Sequence, residues 1–159
     1  MKSVVLALLI ICAVEPALAQ SVETQIRAFA KQEYPDDTQM QRYVYKQQIL
    51  AYRYMTSVKD PDVKTIAERE YPNDYSMQKY VYDNQFAAKH YMTTVSDPDV
   101  KQIALREYPA DYSMQKYVYN NQFAAKQYMN AQTNSAAKLR AIRAYPRDYA
   151  MQKYIYDGL

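Results

Sequence analysis

The dipeptide Tyr-Pro occurs at Tyr34-Pro35, Tyr71-Pro72, Tyr108-Pro109 and Tyr145-Pro146, each 37 residues from the next with no insertion between copies. The same spacing relates Asp37, Asp74, Asp111 and Asp148, then Met40, Met77, Met114 and Met151. It also relates Tyr43-Val44-Tyr45, Tyr80-Val81-Tyr82, Tyr117-Val118-Tyr119 and Tyr154-Ile155-Tyr156. A fixed period of 20 to 50 residues is the signature of stacked supersecondary units, each of which buries its apolar face only against a neighbour. The chain is therefore expected to be an all-α array of four tandem helix-turn-helix repeats, forming a short α-solenoid or helical bundle. The repeats fall at about 21–57, 58–94, 95–131 and 132–159.

Helices rather than strands follow from the scarcity of glycine. Gly158 is the only one in the chain, whereas sheet turns and nucleotide-binding loops draw on glycine for turns and close backbone approach. Within a unit, Asp60-Pro61-Asp62 and Ser96-Asp97-Pro98-Asp99 read as helix starts. The first Asp caps, Pro takes the first helical position, and the second Asp complements the positive end of the helix dipole. In the fourth copy Asn134-Ser135 stands at that place. A short helix A is expected from about Pro61 to Glu70, with Val63, Ile66 and Ala67 as its apolar face. Pro72 ends it, because a residue preceding proline is pushed out of the α region, and the same proline is expected to open a helix B reaching about Thr94.

Projected at 100° per residue, helix B of the second copy shows two apolar stripes. One holds Met77, Val81, Asn84, Ala88, Tyr91 and Val95, with Tyr80 and Met92 at its edges. The other holds Tyr75, Tyr82 and Phe86, repeated in copy three as Tyr112, Tyr119 and Phe123. A helix inside a stack needs one face for its own helix A and one for the next repeat. If neighbouring repeats cover the second stripe, its six aromatics are core; if not, they form the candidate binding surface, since tyrosine offers contact area and a hydrogen bond at little entropic cost. Copy one softens the pattern to Thr38, Tyr45 and Ile49, and copy four stops at Leu159, as terminal capping units do.

Composition bounds the function. Lys2, the apolar run from Val4 to Val14, and Ala17-Leu18-Ala19 read as a signal peptide spanning residues 1–19, with cleavage after Ala19. The mature domain, residues 20–159, is expected to be periplasmic or secreted, and no later run approaches the roughly 20 apolar residues of a transmembrane span. Cys12 is the only cysteine and leaves with the leader; Ile11 before it speaks against a lipoprotein signal. The exported chain then has no disulfide and no thiolate chemistry. With 19 tyrosines it is no disordered chain. A net charge of +3, with both signs interspersed, is no nucleic-acid footprint.

The helix-turn-helix repeat resembles the α-solenoid class to which tetratricopeptide repeats belong, although the Trp and Leu-Gly of that motif are absent and the period is longer. The element Tyr71-Pro72-Asn73-Asp74-Tyr75-Ser76-Met77-Gln78-Lys79-Tyr80 is similar to one found in uncharacterised bacterial exported helical-repeat proteins, which implies a bacterial, periplasmic setting and no particular activity.

Each feature that suggests chemistry has a plainer reading. The recurring Asp sits at a helix start, where its charge is favourable, and no histidine or second recurring acid accompanies it. Asn84, Asn121 and Gln47, with Gln48, Gln85 and Gln122 beside them, can read a ligand or can serve buried tyrosine hydroxyls as an internal polar ladder. His90 and Met92 make a poor metal pair, since His90 is the only histidine and copy three carries Gln127 in its place. No nucleophile with its base, metal cluster or phosphate loop is present. The expectation is a non-enzymatic binding module without metal or cofactor, engaging a protein or peptide through its tyrosine-rich surface. The alternative is a structural cell-envelope protein that associates with itself as a homo-oligomer.

Overall fold

A computed structural model describes the backbone from residue 11 and the side chains from residue 22 to the end of the chain. The leader expected at residues 1–19, with its cleavage point, lies outside the residues described in full. The elements are α1 (Ile11–Glu33), α2 (Thr38–Ser57), α3 (Pro61–Glu70), α4 (Tyr75–Thr94), α5 (Pro98–Glu107), α6 (Tyr112–Ala131), α7 (Ser135–Ala144) and α8 (Tyr149–Asp157). Among the described residues there is no strand, and no helix is long and apolar enough to cross a membrane. Each 37-residue copy holds one pair of helices, a 10-residue helix followed by a 20-residue one in copies two and three. The chain is an all-α array of tandem helix-turn-helix repeats.

Contacts divide the chain into two compact units, Met1–Tyr82 and Asp83–Leu159, with the division inside α4. In the first unit α1 packs on α2. In the second, α6 packs on α5 and on α8, and α7 packs on α8.

The short helices begin where the sequence indicates. The Asp60 carboxylate accepts from Val63 N–H and the Asp97 carboxylate from Val100 N–H, with proline next in line, and Asn134 does the same for Ala137 N–H. Such a cap stabilises a helix by about 1 kcal/mol. The apolar triplets Val63, Ile66, Ala67 and Val100, Ile103, Ala104 are buried, four of the six completely. In the second unit the latter triplet forms one cluster with Met92, Val118 and Tyr119, flanked by Tyr91, Val95, Tyr108, Phe123 and Tyr149.

The long helices begin later than proline alone suggests. Pro72 does not open α4. Instead Tyr71-Pro72-Asn73-Asp74 is a turn closed by Asp74 N–H donating to Tyr71 O at 3.3 Å, and the same bond recurs from Asp37, Asp111 and Asp148 to Tyr34, Tyr108 and Tyr145. Proline's fixed φ suits the second position of such a turn. The recurring Asp is then the N-cap itself: Asp74, Asp111 and Asp148 accept from the N–H of Met77, Met114 and Met151 at 3.0 Å.

The buried face of α4 also differs from the projection. Gln78, Val81, Tyr82, Gln85, Ala88 and Met92 are buried, a single stripe running between the two expected ones, whereas Tyr80, Asn84, Phe86 and Ala87 are exposed. Two glutamines lie on that stripe, and a projection that ranks positions by hydrophobicity turns them outward.

Candidate interaction surface

The recurring polar side chains are consumed at the joints between repeats. Gln48 on α2 donates from Nε2 to Asp74 Oδ1 at 2.6 Å and accepts at Oε1 from Tyr75 N–H at 2.7 Å and Ser76 N–H at 3.3 Å. Gln85 does the same to Asp111 and Ser113, at 2.9 and 3.1 Å, and Gln122 to Asp148 and Ala150, at 2.9 and 3.1 Å. One amide thus holds the capping carboxylate of the next long helix and satisfies one of its orphan N–H groups. In the first copy the register position of this glutamine is Ile11. There Asp37 itself accepts from both Gln39 N–H and Met40 N–H.

A second glutamine closes each copy internally. Gln41, Gln78, Gln115 and Gln152 donate to the carbonyl of Tyr34, Tyr71, Tyr108 and Tyr145 at 2.6 to 2.7 Å. The buried amides are therefore Gln48, Gln85 and Gln122 with Gln78, Gln115 and Gln152, while Gln41 is half-buried. Asn84, Asn121 and Gln47, expected toward the core, are exposed.

Aromatic contacts form a second joint. Tyr54 meets Tyr82 edge-on at 6.1 Å, Tyr91 meets Tyr119 at 6.3 Å and Tyr128 meets Tyr156 at 6.3 Å. Lys79, Lys116 and Lys153 lie over the rings of Tyr54, Tyr91 and Tyr128, a geometry in which the ring face attracts the cation. The Tyr91 hydroxyl donates to Asn120 and that of Tyr128 to Asp157. The latter hydrogen bond, ahead of burial, pushes the Tyr128 hydroxyl pKa up, and the Lys153 ammonium holds the Asp157 carboxyl down.

One joint is ionic. Lys126 on α6 reaches back to the cap of α5, bonding both oxygens of Asp97 at 3.0 and 2.7 Å, with Asp99 at 3.5 Å. Both side chains of the close pair are largely covered, at 21% and 15% exposure. Burial works to raise the Asp97 pKa, but the Lys126 hydrogen bond, helped by Val100 N–H, outweighs it and holds the carboxyl below its ordinary 3.8. The same bond raises the Lys126 pKa against its own burial.

The six aromatics of the second expected stripe do not come together as one open face. Tyr82 and Tyr119 are core residues, 5% and 3% exposed, whose hydroxyls accept from the cap N–H groups of Asp60 and Asp97 at 3.4 and 3.2 Å. Tyr75 is half-buried edge-on to Tyr52 at 5.1 Å, and its hydroxyl pKa is raised by burial first, then by Tyr52 and Glu68. Tyr112 is half-buried beneath Lys89, and Phe123 stacks on Tyr119 at 5.6 Å. Phe86 alone of the six is exposed. His90 is exposed while Met92 is buried, so the two do not share a face, and no group of three potential metal ligands occurs among the described residues.

The aromatic surface lies elsewhere. Tyr43, Tyr80, Tyr117 and Tyr154, the first tyrosine of each Tyr-Val/Ile-Tyr, are 57%, 61%, 61% and 72% exposed. Each stands at the same register of its long helix. One turn on, the first three are followed by an exposed amide, Gln47, Asn84 and Asn121, and then by exposed Leu50, Ala87 and Ala124. Each long helix of the first three copies thus exposes a ring, an amide and a small or aliphatic apolar group at matching positions.

The chain matches no protein-family model, no curated protein and no solved structure.

Proposed function

We propose that this protein is an exported, non-enzymatic interaction module that engages a protein or peptide through the outer face of its long helices. The observation that carries this reading is the exposed tyrosine repeated at one register in all four copies. The recurring groups with catalytic potential support it in another way: each Asp of the series caps a helix, and the buried glutamines hold helix ends. Tyrosine with neighbouring amides suits peptide recognition, because a rigid ring contributes apolar area while hydroxyl and amide satisfy backbone groups. Each compact unit carries two such tyrosines, Tyr43 with Tyr80 and Tyr117 with Tyr154, so two weak contacts can act together on one ligand.

The experiment is a selection of peptides from a random library on the protein, followed by affinity measurement against Tyr80→Ser with Tyr117→Ser. Selected peptides should bind the double variant at least tenfold more weakly while its melting temperature stays within about 3 °C of wild type, since exposed substitutions each change stability by no more than about 0.5 kcal/mol. Equal binding by the variant refutes the proposal. Self-association has its own support in an open groove of about 810 Å³ whose lining includes Ala144, Tyr145, Tyr154, Ile155 and Leu159. A monomer in light scattering at high micromolar concentration rejects that second reading.

A further inference from the structure

The first repeat carries a charge arrangement that the other three lack. Arg27 and Lys31 stand one turn apart on α1, and Arg42 and Lys46 one turn apart on α2. The four cations line one groove of about 470 Å³ together with Ala30, Thr38, Gln41 and Tyr45, and no carboxylate lines it. The Arg27 guanidinium lies over the Tyr45 ring at 4.4 Å and pairs at its rim with Glu23 at 3.9 Å. Among the described residues Lys31, Arg42 and Lys46 make no ion pair.

Copies two to four treat the same positions differently. Where copy one has Arg27 and Lys31, they have Lys64 with Glu68, Lys101 with Leu105, and Lys138 with Ile142. Where it has Arg42 and Lys46, they have Lys79 with Asp83, Lys116 with Asn120, and Lys153 with Asp157. Lys64 and Glu68 are paired at 3.7 Å, and Lys153 bonds Asp157. Like charges four residues apart on a helix cost about as much as opposite charges contribute, about 0.2 to 0.5 kcal/mol per pair. Copy one thus lacks the two opposite-charge pairs of copy two and sets two like-charge pairs facing a common groove; Arg27 gains contacts with Tyr45 and Glu23, whereas Lys31 and Lys46 gain no ion pair among the described residues. A local rule broken at Lys31 and Lys46 without a compensating ion pair marks a functional position.

We infer that this groove binds a compact polyanion bearing clustered phosphate groups. Two guanidinium forks match phosphate oxygens in bidentate geometry, two ammonium groups add point charge, and Tyr45 and Thr38 supply hydroxyl donors. Four cations within one small cleft call for several negative charges in a small volume, which a single carboxylate does not supply. The phosphates can belong to a soluble ligand or to lipid headgroups, and two probes separate these sources.

Calorimetric titration with sodium tripolyphosphate tests the soluble source, and co-sedimentation with vesicles of phosphatidylglycerol against phosphatidylcholine tests the headgroup source. The informative variant is Lys31→Glu with Lys46→Asp, which gives copy one the residues of copy two and keeps or raises the melting temperature. It should lower affinity for the probe at least tenfold. Lys101→Glu with Lys138→Glu, which changes net charge equally elsewhere, should leave affinity within about twofold. Binding by neither probe overturns the inference, and so does equal loss in both variants, which reports net charge alone.

Discussion

Replacing Gln122 by methionine tests the claim that repeats are joined through one amide. Methionine keeps nearly the same volume and removes both of its hydrogen bonds. The bond to the Asp148 carboxylate involves a charged acceptor, worth about 1.5 to 3 kcal/mol, and that from Ala150 N–H is neutral, worth about 0.5 to 1.5 kcal/mol. Asp148 lies partly open to water, so the lower end of each range applies. Burial of a more apolar side chain offsets less than about 1 kcal/mol of this. The net cost is about 1 to 2 kcal/mol, a fall in melting temperature of roughly 3 to 7 °C at this chain length. Because joints between repeats are nearest-neighbour terms, the loss falls on the fourth copy first. Circular dichroism gives the melting temperature, and hydrogen exchange should show faster opening of α8 while α3 keeps its protection. A melting temperature within 1 °C of wild type, with α8 exchange unchanged, refutes the reasoning.

Tyr119→Phe leaves the Asp97 N–H without its hydroxyl acceptor and should cost about 1 kcal/mol, whereas Tyr119→Ser also opens a cavity and should cost about 3 kcal/mol or more, both read from thermal melts. Lys126→Met should destabilise at neutral pH. The Asp97 pKa is depressed in the folded state, so its share of that stabilisation is complete above the ordinary carboxylate range and is lost as pH falls through the folded pKa. The raised Lys126 pKa works the opposite way: its share is complete below 10.5 and is lost only as pH rises through the still higher folded pKa. The gap in melting temperature between wild type and Lys126→Met should therefore stay constant from pH 5 to 9 and close below pH 4. A gap that persists into strong acid means packing, not charge, explains the effect.

The sequence is legible where a single residue type has one local use. Asp-Pro starts and Tyr-Pro stops place the short helices to the residue, because capping and the restriction before proline act within a few residues. Pro72 misleads because proline serves equally at the first helical position and at the second position of a turn, and the Tyr71–Asp74 hydrogen bond that decides between them is invisible in sequence. The amides mislead for a different reason. Gln85 differs from Asn84 by one position and one methylene, yet only Gln85 aims at the Asp111 cap of the following repeat. That target exists only once repeats are stacked. The exposed Tyr43 series is equally hard to separate from the tyrosines two residues on, of which Tyr82 and Tyr119 are buried, since both recur with the same period and only the rotation of the long helix assigns them to different environments. The four-cation groove leaves a trace in sequence, as departures of copy one from its siblings at Lys31 and Lys46, but only packing of α1 on α2 brings the two separate pairs to one groove.

We propose that the exposed tyrosines, not the buried ones, meet a partner. Tyrosine-selective chemical modification, mapped by mass spectrometry with and without a selected peptide, tests it directly. In the free protein Tyr43, Tyr80, Tyr117 and Tyr154 should react first and Tyr82 and Tyr119 should be spared; with peptide bound at saturation, reactivity of the exposed set should fall several-fold. An exposed set that reacts equally in the complex contradicts the account.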